Sequence, residues 1–266
     1  MNRKLFLLAA SLLLVGCNNN ASKQNEKKEP DAKAAYAATL KKAGDDMFDY
    51  MGANRTRGHI PAQGALDPLV TGDKMMYLSM PSVLVYMSGL ISEVDGVDID
   101  NHMFEFGGDY QYKLGENWTD INLIFAVNAK INKADNQIFL NARQFTTIEG
   151  MGANTTDVFI DINFDFEGNE VKSFELYQDQ GPDYAYVVVD EEGVGKIRNA
   201  QTQLTDEEAA KLDSTFATYS ANLEALYAQK VSSTEANNRT CMEKFVQTQL
   251  YQNSLLGMEE DVRIKE

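Results

Sequence analysis

Oxygen donors recur at every second position in Asp161-Ile162-Asn163-Phe164-Asp165-Phe166-Glu167-Gly168. Carboxylates and amides of this kind are the ligands that hard cations such as calcium take. A calcium loop of the EF-hand pattern starting at Asp161 needs glycine at its sixth position and glutamate at its twelfth, where this chain has Phe166 and Lys172. The alternation is instead that of a strand whose carboxylates face water while Phe164 and Phe166 enter a core. A calcium site shared with Asp95, Asp98 and Asp100 stays open as an alternative. Gly193-Val194-Gly195-Lys196 has the ending of a phosphate-binding loop, but Asp190 stands where its first glycine belongs and Ile197 where its magnesium-holding hydroxyl belongs. That segment reads as a turn. The chain has two histidines, His59 and His102, both in segments that read as loop, and they have no cysteine partners at zinc spacing. Neither G-x-S-x-G nor H-E-x-x-H occurs. Catalysis would require a cleft gathering His59 or His102 with a carboxylate or hydroxyl from a distant segment. The chain therefore reads as non-catalytic, without a metal or dissociable cofactor. Cys241 reads as a buried helix thiol rather than a nucleophile.

Cys17 is different. Met1-Asn2-Arg3-Lys4 is a short positive start, Leu5 to Leu14 is apolar apart from Ser11, and Val15-Gly16-Cys17 follows. These are the parts of an export signal. From Leu5 to Cys17 is 13 residues, short of the roughly 20 that cross a bilayer as a helix. Leu14-Val15-Gly16-Cys17 resembles the lipobox of bacterial lipoproteins, a resemblance confined to the first 17 residues. It implies that the signal is cut after Gly16, that the Cys17 thiol carries diacylglycerol, and that the new N-terminus is acylated. Several chains on one residue suit a lasting anchor, because one acyl chain alone holds a protein only marginally. Asn18 follows the cysteine in place of the aspartate that retains enteric lipoproteins at the inner membrane. The resemblance thus implies the outer membrane in a Gram-negative host, or the outer face of the cell membrane in a Gram-positive one.

Loss of residues 1–16 removes Arg3 and Lys4 and takes the formal charge from −16 to −18. Nucleic-acid binding needs a basic footprint, and none is present. An anionic bilayer repels such a chain, so the expected partner of the membrane is the lipid on Cys17, not the protein surface. Cys241 is the only other cysteine, so an acylated Cys17 leaves no intrachain disulfide.

Four segments are expected: signal 1–16, a lipidated flexible tether 17–32, one domain 33–257, and a polar tail 258–266. The tether is the polar, low-hydrophobicity run from Asn18 to about Lys33. Asp31 caps a helix to about Met51, with Tyr36, Leu40, Ala43, Met47 and Tyr50 on one face. Gly52 to Gly72 reads as irregular. Met75 to Ile91 predicts a core helix opening at Pro81, with Val83, Leu84, Met87, Leu90 and Ile91 inward; a buried strand is the alternative. From Met103 the period falls to two. Strands are predicted from Phe104 to Leu114, Ile121 to Ile131, Ile138 to Thr147, Val158 to Phe166, Val171 to Tyr177 and Tyr184 to Asp190. Thr205 to Glu208 is a capping box opening a helix with Leu212, Phe216, Tyr219, Leu223 and Leu226 aligned. A last helix runs from the Ser232-Ser233-Thr234 break to Leu256, stopped by Gly257.

The expected fold is α+β: a curved antiparallel meander of about six strands, with N- and C-terminal helices packed on one face and the other face wet. The expected function is an envelope lipoprotein acting as a binding module. An apolar or amphiphilic ligand would require a cavity on the order of several hundred Å3 between sheet and helices. The alternative, binding another envelope protein, requires a tight core with apolar or aromatic residues exposed outside it.

Overall fold

The computed structural model describes residues 32–50, 68–114, 116–181, 184–190, 193–199, 203–256 and 261–265, with backbone alone for 68–76, 114 and 193–197. Helix α1 (Ala32–Tyr50) buries Ala37, Leu40, Ala43, Met47 and Phe48, the stripe its periodicity predicts. Helix α2 (Pro68–Ser92) starts well before Pro81 and runs through it. The expected opening at Pro81 is therefore corrected, as is the irregular reading of residues 68–72. A proline inside a helix costs about 3 kcal/mol through its missing N–H and its ring clash. Burial outweighs that cost: Leu78, Val83, Leu84, Val85, Met87 and Ile91 have no exposed surface, and Leu90 alone of the expected inward set is half-buried. Buried Ser82 and Ser88 donate to Leu78 O and Leu84 O at 2.7 and 2.6 Å, so their hydroxyls are satisfied within the helix. The two helices meet at glycines. A Cβ on Gly44 would stand 2.5 Å from the Tyr86 backbone nitrogen, and one on Gly89 would stand 2.8 Å from the Ala37 carbonyl oxygen.

Strands β1 (Phe104–Leu114), β2 (Asn117–Asn132), β3 (Gln137–Ile148), β4 (Gly152–Asp165), β5 (Glu170–Asp179), β6 (Tyr184–Asp190) and β7 (Gly193–Asn199) form an antiparallel meander in chain order. Asn136 and Asn169 take positive φ (53° and 54°) in the tight turns before β3 and β5, a conformation asparagine tolerates better than most residues. The Gly193-Val194-Gly195-Lys196 segment, expected as a turn, is the start of β7. Its backbone pairs with β6 from Asp190↔Gly193 onward.

Helix α3 (Asp206–Tyr227) follows, then β8 (Val231–Ser232), helix α4 (Glu235–Leu256) and β9 (Val262–Ile264). The α+β class holds, with nine strands among the described residues where about six were expected. β8 and β9 are two and three residues long, too short to show a period. β9 lies inside the segment expected as a polar tail; Val262 is buried against β1 and gives that segment a fixed place. Together these pieces close the outer edge of β1. β8 pairs in parallel with Phe104 and Glu105, the Asn238 side chain bonds both the N–H and the C=O of Gly107 at 2.8 Å, and β9 pairs with Tyr110 to Tyr112. An exposed edge would otherwise be a template for another chain.

Both faces of the sheet are covered, which corrects the expectation of one wet face. On the first, α1, α2 and α4 pack over Leu123, Phe125, Val127, Val158, Ile160, Ile162, Leu176 and Val187. On the second, α3 packs alone over Phe139, Phe159, Tyr177 and Tyr186 through Leu212, Phe216, Tyr219 and Leu223. The reason lies in Phe159 and Tyr177, which interrupt the polar face with apolar surface that only a second layer hides.

Candidate functional site

The second face holds the chemistry. Tyr177 on β5 is registered opposite Tyr186 on β6, and Tyr186 opposite Arg198 on β7. The two tyrosine rings stack at 4.7 Å and 25°. Phe216 and Tyr219 of α3 meet Tyr177 edge-on at 5.6 and 5.2 Å. Between this row and α3 lies a cavity of about 110 Å3 with Tyr177, Tyr186, Leu204 and Leu212 as its apolar walls. Arg198, Glu208, Lys211 and Thr215 complete the lining. Burial pushes the Tyr186 hydroxyl up to about 12, helped by the nearby Glu175 charge, so it stays a neutral donor at physiological pH.

Beside this row, Asp161 on β4 stands opposite Glu175 on β5, two carboxylates as cross-strand neighbours. The Tyr177 hydroxyl donates to Glu175 Oε2 at 2.5 Å, and Gln137 Nε2 donates to Asp161 Oδ1 at 2.8 Å. Burial raises the Asp161 carboxyl above its ordinary value; the Glu175 charge adds to this and the Gln137 bond opposes it. Burial and these same two carboxylates raise the Tyr219 hydroxyl on α3.

Two devices hold α3 in place. At its start, Thr205 and Glu208 form the capping box read from the sequence. Near its end, Arg143 on β3 grips Asp157 on β4 with two bonds (2.7 and 2.8 Å) and reaches Glu224 on α3 at 2.6 Å. The Arg143 guanidinium lies 4.9 Å from the centre of the Tyr227 ring. Of the 22 residues of α3, Leu212 and Leu223 are the buried ones.

A third feature sits deeper on the same face. Asn128 on β2 and Asn141 on β3 are registered opposite each other, both buried, and neither Oδ1 has a hydrogen-bond partner among the described residues. Asn128 Nδ2 donates to the carbonyls of Ile99 and His102 at 2.8 and 3.1 Å and so fixes the loop before β1.

The residues singled out in the sequence are dispersed. Cys17 and His59 lie outside the described residues. His102 is exposed in the loop before β1, its Nδ1 3.9 Å from Asp98 Oδ2. Asp98 itself is engaged with Asn101, which holds its carboxyl below the ordinary value. Asp165 turns back to accept the N–H groups of Glu167 and Gly168 at 2.9 Å, while Asp161 faces Glu175. The acidic strand thus spends its carboxylates in different places. Among the described residues no group of three or more His, Cys, Asp or Glu side chains is arranged to hold a metal ion. Cys241 is buried in the core and burial pushes its thiol up to about 12, far from a nucleophilic thiolate.

Among the described residues, the layer between the sheet and α1, α2 and α4 holds side chains with no exposed surface, Phe125, Phe245, Val127 and Ile160 among them. The cavity beneath α3 is smaller than a lipid carrier requires. The sequence marks Tyr219 only as part of the aligned face of α3 and does not single out Tyr177, Tyr186, Arg198 or Lys211. The one signal that pointed to them is Phe159, an apolar residue at the same parity as Asp157 and Asp161. Neither a protein-family model, nor a curated protein, nor a solved structure matches the chain.

Proposed function

We propose that this chain is an extracytoplasmic bacterial lipoprotein, tethered by acyl chains on Cys17, whose folded part is a non-catalytic binding module with the cleft beneath α3 as its ligand site. The observation that carries the binding role is the convergence at that cleft of stacked Tyr177 and Tyr186, apolar Leu204 and Leu212, and charged Arg198 and Lys211. Apolar walls with a few polar groups at fixed positions are the usual composition of a small-molecule site. The anchoring role rests on the export signal and the Leu14-Val15-Gly16-Cys17 motif. Among the described residues no helix is long and apolar enough to cross a membrane, which is compatible with attachment by lipid.

Native mass spectrometry of the delipidated protein purified from its own host tests the binding role. A bound small molecule is expected with the wild type and absent from Leu212→Trp, in which the indole occupies the cleft. A wild-type protein that carries no ligand, or a ligand unaffected by that substitution, would overturn it.

A second reading, binding to another envelope protein, is favoured by apolar residues outside the core. Met151 is 81% exposed at the β3–β4 turn, Leu250 is exposed on α4, and Tyr251 is partly exposed where its ring packs against Phe48 and Tyr86. Cross-linking in whole cells that maps to Met151 or α4, and not to α3, would favour this second reading.

A further inference from the structure

Among the described residues lining the cleft beneath α3, cations outnumber carboxylates, although the chain as a whole is acidic. The full sequence has a formal charge of −16, so its surface attracts cations almost anywhere. In this cleft two cations, Arg198 and Lys211, face one carboxylate, Glu208. Glu208 is also committed elsewhere: its Oε2 accepts from the Thr205 backbone N–H and hydroxyl, both at 3.1 Å, as half of the capping box. Lys211 is exposed and makes no ion pair among the described residues. Arg198 is held at its place by strand register with Tyr186, and its Nη2 lies 3.9 Å from Glu208 Oε1.

Two other clefts among the described residues do not share this excess. The groove of about 710 Å3 between β1 and the start of α4 balances Asp109 and Glu235 with Arg239 and Lys265. The groove of about 440 Å3 beside α1 balances Asp100 with Lys133. Size narrows the ligand further. A cavity of about 150 Å3 accepts benzene, so one of about 110 Å3 holds a single ring partly inserted or a short branched chain. Long acyl chains and nucleotides exceed it.

We propose that the cleft beneath α3 takes a small amphiphilic carboxylate, its short apolar body between the Tyr177–Tyr186 stack and Leu204 and Leu212, its carboxylate held by Arg198 and Lys211. The inference rests on the reading of this cleft as the ligand site and adds the ligand's chemical class. A carboxylate matches the planar fork of an arginine, and a charged partner strengthens each hydrogen bond it accepts. A cationic ligand would meet like charge at the rim.

Isothermal titration of the delipidated protein with phenylacetate, its neutral isostere phenylacetamide and the cationic phenethylamine tests this assignment. Saturable binding of phenylacetate is expected, with the amide weaker by about tenfold and the amine weaker still. Lys211 is exposed at the rim of the cleft, so Lys211→Gln is expected to leave the fold intact. It is expected to weaken phenylacetate by about threefold to tenfold while leaving the amide unchanged, as is Arg198→Gln. The assignment is overturned if the amide or amine binds as tightly as phenylacetate, if both substitutions leave phenylacetate binding unchanged, or if phenylacetate fails to bind. A neutral or cationic molecule that co-purifies with the wild type and is lost from Leu212→Trp would sink the anionic class alone and leave the binding site standing. Absence of both a co-purified ligand and probe binding sinks the two together.

Discussion

Asp161 and Glu175 put like charges directly opposite each other on a half-buried face, an arrangement that costs stability in a sheet. Asp161→Asn is expected to raise the unfolding free energy by about 1 kcal/mol at neutral pH, read by urea denaturation. The pH dependence follows from the direction of the shift. The Asp161 carboxyl is raised in the fold above its ordinary value of 3.8, so the native state binds its proton more tightly than the unfolded chain does. Stability is then lost as pH rises from that ordinary value through the higher value in the fold, and Asp161→Asn should flatten this decline. An identical pH profile in the two proteins would contradict it. Asn128 gives a second test. Its amide nitrogen sits among the carbonyl oxygens of Ile99, Asp100 and His102. Asn128→Asp replaces that donor with acceptors and is expected to cost about 3 kcal/mol or more, whereas an unaffected melting temperature would show that the loop before β1 does not depend on this side chain.

At the scale of elements, α3 is the helix held most lightly. Its two buried residues compare with eight in the 19 of α1. Amide hydrogen exchange is expected to be faster in α3 than in α1, and faster still after Arg143→Met, which removes the link between Asp157 and Glu224. Equal protection of both helices would show that α3 is as firmly packed as the core layer. The opposite behaviour is expected where α1 meets α2. Gly89→Ala places a methyl 2.8 Å from the Ala37 carbonyl oxygen, and such overpacking costs about 1–3 kcal/mol, measurable as a lower denaturation midpoint.

Much of this layer was legible in the sequence. The four-three spacing of α1, the capping box at Thr205 and the six long strands all follow from local periodicity, which strong local signals reveal. What escaped it was tertiary. Pro81 reads as a helix start because its local cost is visible and the burial of Leu78 is not. Gly193 to Lys196 reads as a turn because two glycines mask a strand whose existence depends on pairing with β6. β9 is three residues of a segment with no period, fixed only by β1 beside it. The cleft was illegible for the same reason, since Tyr177, Tyr186, Arg198 and Lys211 come from three strands and a helix that only register and packing bring together.

For the whole molecule, the proposed lipid anchor would hold at the membrane an acidic folded part that an anionic surface repels. Among the described residues, the buried core is built from the helices and strands between Ala37 and Val262. If residues 1–16 are removed as proposed, the chain carries a formal charge of −18 and gains nothing from the negative surface of a bilayer, so its attachment would rest on the proposed acyl chains. Membrane fractionation of cells producing the wild type or Cys17→Ala tests this most directly. The wild type is expected in the membrane fraction, carrying the mass of its lipid on the N-terminal peptide, and Cys17→Ala in the soluble exported fraction with an unchanged circular dichroism spectrum and melting temperature. A Cys17→Ala protein that stays with the membrane, or a wild type whose N-terminal peptide carries no lipid, would contradict the account.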